Sequence, residues 1–197
     1  WGRSVWIEPA GHAAEHAEDI RDLYAFLAEG WAASGLPRHT ALVPASDAAA
    51  LDAWFRIGFG HQHAHALMPT PPLEAIPDDP PGIEVRVAEE RDIEMLGRLD
   101  LLLHVHQVGS PVFSEHPAPS LEEAVAEYRD EWDDPRFLVL VAEVDGSVVG
   151  SIVGCAVEES RGNSSLIRPP GAAFLAFASV LPEARGRGVG RALANAI

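Results

Sequence analysis

Lysine is absent: all 14 basic side chains are arginines, set against 30 aspartates and glutamates for a formal net charge of −16. A chain so charged repels polyphosphate, which argues against nucleic-acid binding, since that depends on neutralising phosphates. Its field would instead draw in cationic partners such as amines. Cysteine is nearly absent too. Cys155 stands alone, so no internal disulfide can form, and a reducing cytoplasm fits. No apolar run is long enough for a membrane-spanning helix, and no signal-peptide pattern opens the chain. With 47% hydrophobic and 22% charged residues the composition is that of an ordinary globular protein. The 197 residues suit one large or two small domains. The opening Trp1 and a stop at Ile197 inside a helical pattern lead us to expect a piece of a longer protein.

Hydrophobic periodicity predicts the elements. Residues 4–8 read as a strand. Ile20, Leu23, Tyr24, Leu27 and Trp31 fall on one face of a helix over 18–34, which Gly35 and Pro37 stop. A strand at 40–43, a helix at 48–57 with Leu51, Trp54 and Phe55 inward, and a strand at 61–67 follow. Residues 69–82 then hold six prolines (69, 71, 72, 77, 80, 81) and three acidic side chains, the composition of an extended linker and domain boundary. Beyond it, 83–87 alternates as a strand, and Ile93, Leu96, Leu99 and Leu103 mark a helix. Residues 106–119 read as a loop. Ser120 with Glu123 forms a capping-box signature that opens a helix ended by Pro135. Asp145-Gly146 joins strands 137–144 and 147–157 as a hairpin, and 158–171 reads as a loop. Residues 172–180 are nearly all apolar, as expected of a strand at a sheet centre. A glycine-rich turn and a helix from near Val189 complete the chain.

The most informative stretch is Phe174-Leu-Ala-Phe-Ala-Ser-Val-Leu-Pro-Glu-Ala-Arg-Gly-Arg-Gly-Val-Gly-Arg-Ala-Leu193. It reads as a strand, a glycine-rich turn and a helix start. Gly186, Gly188 and Gly190 let a ligand approach the backbone. Turn amides and a helix N-terminus make an anion site, to which Arg185, Arg187 and Arg191 add charge. The pattern lacks the Gly-Lys-Ser/Thr of a P-loop, and its glycine spacing fails the dinucleotide fingerprint. It is also too short and too apolar-flanked for a disordered Arg-Gly tract. Together these features describe a diphosphate receptor.

Arg185, Gly188 and Gly190, with Pro182 and Val180 before them, resemble the coenzyme-A loop of the GNAT N-acetyltransferase superfamily. The order of elements over 83–197 is also similar to that family's. The resemblance implies an α/β fold of the acyl-CoA N-acyltransferase type, a mixed central sheet flanked by helices. It implies acetyl-CoA as co-substrate, with Ala178 and Val180 contacting the pantetheine arm and thioester. Amides of Arg185, Gly186, Arg187, Gly188, Val189, Gly190 and Arg191 would hold the pyrophosphate. An acceptor primary amine, on a small molecule or a protein, would attack the thioester directly, with backbone groups stabilising the developing oxyanion. In this family the loop after the first helix often shapes the acceptor site, which makes Phe113, Glu115 and His116 candidate acceptor contacts. Glu158, Glu159 and Glu183 read as solvated, so no catalytic acid or base is assigned. The alternative is a non-catalytic acyl-CoA-binding or scaffold protein.

Residues 4–67 resemble the second half of the same fold, with Trp54-Phe55-Arg56 before Gly58-Phe59 similar to its late helix. The matching loop at 9–19 has lost its glycine pair and carries Glu15, Glu18 and Asp19, which would repel a diphosphate. The expected organisation is therefore a duplicated fold: residues 1–68 the end of a degenerate first copy, 69–82 the linker, and 83–197 the front of a coenzyme-binding second copy. His61, His63 and His65 alternate along one predicted strand face, where side chains converge poorly on an ion, and no metal is expected. His12 and His16 are read as solvent-facing, and Cys155 as a core residue.

Overall fold

The computed structural model describes residues 4–109, 118–160 and 168–197. These fall into two compact units, one holding 4–65 and the other the described residues from Ala66 onward.

In the first unit, strand β1 (Ser4–Ile7) leads through a long connection to helix α1 (Asp19–Ala33) and back to strand β2 (Arg38–Ala41). The two strands are parallel, in register Ser4↔Arg38 to Ile7↔Ala41, as a helical crossover requires. That register places β2 two residues before the apolar run read from sequence. Helix α2 (Ala48–Arg56) starts where Asp47 accepts a hydrogen bond from the Ala50 amide at 3.0 Å. The core joins Ile7, Ile20, Ala50, Ala53 and Trp54, with Tyr24, Trp31 and Phe59 packed on it. Trp54 lies edge-on to Phe59 at 4.5 Å and to Tyr24 at 5.6 Å, arrangements favoured by the ring quadrupoles. Of the predicted α1 stripe, Ile20 is buried, while Leu23 and Leu27 stay largely exposed.

Two expectations fail in this unit. Residues 61–67 form no strand. An alternating His/Ala sequence has the right period, but a strand needs a hydrogen-bonding neighbour, and among the described residues the unit's sheet is β1 and β2 alone. His63 and His65 still share a side, their rings 5.0 Å apart, and burial with the neighbouring histidine charges pushes the His63 pKa down. His12 is buried rather than solvent-facing. Its Nε2 donates to the Leu42 carbonyl at 3.0 Å, and its Nδ1 accepts from the Trp54 indole N–H at 3.5 Å.

The second unit is built on an antiparallel sheet in the order β3-β4-β5-β6. Its strands are β3 (Ile83–Val87), β4 (Phe137–Val144), β5 (Ser147–Ala156) and β6 (Ala173–Val180). The hairpin between β4 and β5 turns on Asp145 and Gly146, both at positive φ (52° and 74°), as its Asp-Gly sequence demands. Helix α3 (Ile93–Val108) extends into the predicted loop, and α4 (Leu121–Asp130) begins at the predicted capping box. There Ser120 Oγ accepts from the Glu123 amide at 3.2 Å and Glu123 Oε2 from the Ser120 amide at 2.7 Å. Helix α5 (Val189–Ala196) follows the glycine-rich turn.

Strand alternation separates two faces. Gly150, Ile152 and Gly154 face α5, and a Cβ on Gly150 would stand 3.1 Å from Val189 Cγ1 and 3.2 Å from Leu193 Cδ1. This close approach seats α5 on the sheet and so fixes the turn that precedes it. Leu140, Ala142, Val144, Ile152, Val189 and Leu193 form that core, each large side chain stabilising by roughly 1.5–3 kcal/mol. α3 packs on the opposite face, burying Leu96 and Leu99 completely. Cys155 is buried as expected, and burial pushes its thiol pKa up.

Among the described residues, the strand read as a sheet centre lies at the edge of this sheet. β6 pairs only with β5 among the described residues, and Leu175 is 51% exposed. The buried central strand is β5. Among the described residues the expected mixed sheet is not found: these four strands are all antiparallel, and the one parallel pairing is between β1 and β2. A parallel neighbour for β6 would require a crossover through α5, and no strand follows α5 among the described residues.

On β5, Ser151 is fully buried with its hydroxyl unpartnered among the described residues. A buried hydroxyl without a partner keeps its desolvation cost, so Ser151→Ala should leave stability unchanged or raise it by up to about 1 kcal/mol. A urea-denaturation midpoint that falls in this variant would show that the hydroxyl has a partner, such as a buried water.

Candidate functional site

The site grows from the junction of β6 and α5. The β5–β6 ladder runs one residue past the strand, where the Leu181 amide donates to the Val149 carbonyl at 2.8 Å. A tight turn at Pro182–Ala184 buries Ala184, and the chain then rises through Arg185–Gly188 to the helix. Gly186 and Gly188 adopt positive φ, 75° and 91°, the second serving as the left-handed N-cap of α5. Only glycine takes these angles without strain. The Arg191 and Ala192 amides donate to the Gly188 carbonyl, both at 3.0 Å, closing the first turn. The amides at the start of that turn have no acceptor within the helix and lie at the positive end of its dipole.

Approach to this backbone differs from residue to residue. A Cβ on Gly186 would meet nothing within 4 Å, and one on Gly190 only Val180 Cγ2 at 4.0 Å, so both are open. At Gly188 the space is taken by the chain itself: a Cβ there would lie 2.4 Å from Pro80 Cγ. The expectation that a ligand uses the missing Cβ of all three glycines is therefore corrected at Gly188. Val189 is buried and anchors the turn.

Arg185, Arg187 and Arg191 are exposed, and no ion pair among the described residues engages them. Arg185 folds back, its Nε donating to the Val180 carbonyl at 3.1 Å. That carbonyl, expected to face a pantetheine arm, already has one partner, and Arg185 ties the strand end to the turn. Ala178 is exposed on β6, whose outer edge has no strand partner among the described residues.

The candidate acceptor residues Phe113, Glu115 and His116 lie outside the described residues. Glu158 accepts from the Gly171 amide at 3.1 Å, and such backbone bonds hold its carboxyl below the usual range; it fastens the end of β5 to the start of β6. Sequence reasoning missed a titratable group on α3 and α4. Asp100 Oδ2 lies 3.4 Å from His104 Nε2, and burial pushes the Asp100 carboxyl up despite that partner. Burial and the nearby Asp100 charge also raise the Tyr128 hydroxyl. The i, i+4 Asp-His spacing was visible, but its burial against α4 was not.

The Asp100 shift implies a stability change with a definite sign. A carboxyl whose folded pKa is raised binds its proton better in the fold, so ionisation costs stability as pH rises through that pKa. Asp100→Asn should therefore stabilise the chain at neutral pH, by up to about 1 kcal/mol, and give no gain at a pH below the ordinary aspartate value of 3.8. Equal gains at both pH values in denaturant melts would contradict the assignment.

The site is thus a strand, a glycine-rich turn and a helix start beside an antiparallel sheet, with three exposed arginines. Residues 106–197 match the model of the Acetyltransferase (GNAT) family. Similar solved structures include a possible acetyltransferase from Clostridium difficile 630, 18% identical over 58% of this chain and 67% of that one, with TM-score 0.44. An acetyltransferase from Thermus thermophilus is 20% identical over 57% and 64%, with TM-score 0.40. One from Vibrio fischeri is 27% identical over 56% and 80%, with TM-score 0.39. The chain spans about two thirds of the length of the first two. No curated protein matches it. No described helix is long and apolar enough to cross a membrane.

Proposed function

We propose that this chain binds acetyl-CoA at 178–191 and transfers the acetyl group to a primary amine. The observation that carries the reading is the left-handed Gly188 cap with open backbone at Gly186 and Gly190, set in a family-matched segment that also holds three exposed arginines. The pyrophosphate would lie on the amides of Gly186 to Arg191, with Arg187 and Arg191 pairing with its oxygens. The pantetheine arm carries amides, and β6 offers an open strand edge on which they can pair, as an added strand would. The thioester would then lie beside Ala178 and Val180. The amine nitrogen attacks the carbonyl carbon, the tetrahedral oxyanion is held by backbone N–H groups, and the C–S bond breaks to release coenzyme A. The nitrogen's surplus proton leaves to solvent or to the departing thiolate. A net charge of −16 favours cationic amines as acceptors. In this reading 1–68 derives from a degenerate first copy, and one coenzyme binds per chain.

Two measurements test this. Calorimetric titration with acetyl-CoA is expected to give a stoichiometry of one. Intact-mass analysis of a panel of amines incubated with protein and acetyl-CoA is expected to show acetylation. Tight binding with no acetylated amine would favour the non-catalytic acyl-CoA-binding alternative, and no binding would overturn both.

A further inference from the structure

The proline-rich segment is not a free linker. Pro80 stands against Gly188 at the head of the anion turn. Three residues earlier, the Pro77 carbonyl accepts from Asn195 Nδ2 at 3.1 Å, and Asp79 Oδ1 accepts from the same amide at 2.9 Å. Residues 77–80 therefore run alongside α5, with Asn195 as their clasp. A groove of about 330 Å³ lies beside them, lined by Leu73, Ile76, Asp78 and Ala196, and Asp78 and Asp79 are exposed.

We propose that residues 77–80 form a strap that competes with the coenzyme's diphosphate for the turn, so that Pro80, Asp79 and Asn195 set the affinity of the site. The proposal rests on the coenzyme reading above. Docked, the strap puts the Pro80 ring in the space a ligand would enter at Gly188. It also holds two carboxylates beside a helix whose N-terminus must receive an anion. From Asn195 to Gly188 is seven residues of helix, about 10 Å, which is within reach of charge repulsion at low salt. The strap thus opposes binding both by its volume and by its sign of charge. Two hydrogen bonds from one exposed amide favour the docked state by a ratio on the order of five. Apparent affinity scales with the fraction of molecules that are competent to bind, so release should tighten coenzyme binding about fivefold.

The test is calorimetric titration of the whole chain with coenzyme A, comparing wild type with Asn195→Ala and with Asp78→Asn/Asp79→Asn. The first variant removes the clasp. The second keeps an acceptor at position 79 and removes only charge. Both should bind about two- to fivefold more tightly than wild type at low salt, and the gain of the charge variant should shrink at high salt. Binding by the variants where wild type shows none would support the strap equally. Equal or weaker binding in both variants overturns the strap and leaves the coenzyme site standing. No binding by any of the three, with melting curves showing folded protein, overturns the strap and the coenzyme reading together.

Discussion

Gly188→Glu is expected to abolish acetyl-CoA binding, a loss of at least about a hundredfold, and to lower the melting temperature of the second unit. Three effects add. A non-glycine residue at φ 91° is strained by roughly 1–2 kcal/mol. Its Cβ would collide with Pro80, 2.4 Å away. Its carboxylate would stand where the diphosphate must sit, and like charges in contact at a partly desolvated surface cost several kcal/mol. Arg185→Ala should act differently. It deletes one cation and the bond from Nε to the Val180 carbonyl, so binding should weaken about tenfold while the fold persists. Calorimetry showing unchanged affinity in both variants would refute the assigned site.

The second large effect lies in the sheet that supports the site. Arg86 on β3 is held by Asp92 at 2.6 and 2.9 Å and by Glu143 on β4 at 2.6 and 2.9 Å. Asp92 also caps the turn into α3, accepting from the Glu89 amide at 2.8 Å. Asp92 is 5% exposed, and the Arg86 guanidinium holds its carboxyl below the ordinary 3.8. Arg86→Ala would leave two carboxylates facing each other without a cation, which costs on the order of 3–5 kcal/mol and lowers the melting temperature by on the order of 10 °C. The pH dependence has a fixed sign. A depressed aspartate contributes stability that is fully present above its unfolded pKa and is lost as pH falls through the folded one. Wild type should therefore lose stability below about pH 4, and Arg86→Ala should lose much less there, because the contribution is already gone. Parallel acid melts of the two proteins would contradict this.

How far the sequence could be read depended on whether each signal was local. The capping box at Ser120 and Glu123, the Asp145-Gly146 turn and the Gly188 cap are each complete within a few residues, so their sequences specify them. Helix α5 was legible because Val189 and Leu193 recur at helical spacing. What sequence missed was set by distant partners. The 61–67 alternation has a strand's period but no neighbour to pair with. β6 is as apolar as a central strand yet has one strand partner among the described residues, because exposure depends on what stands beside it. His12 reads as polar until Leu42 and Trp54 supply its partners. Pro80 gave every sign of a linker, and its contact with Gly188 spans more than a hundred residues of chain. Within the site, the strand, glycine turn and helix start were legible and the Arg185 fold-back was not, since an arginine's reach to a carbonyl leaves no pattern in spacing. The acceptor residues 113, 115 and 116 fall outside the described structure.

Amide hydrogen exchange with and without acetyl-CoA tests the central claim most directly, because it reads the backbone groups assigned to the diphosphate. Binding should slow exchange at residues 186–191 and along β6, and leave 9–19 unchanged. Protection confined to 9–19, or absent at 186–191 under conditions where acetyl-CoA binds, would contradict the account.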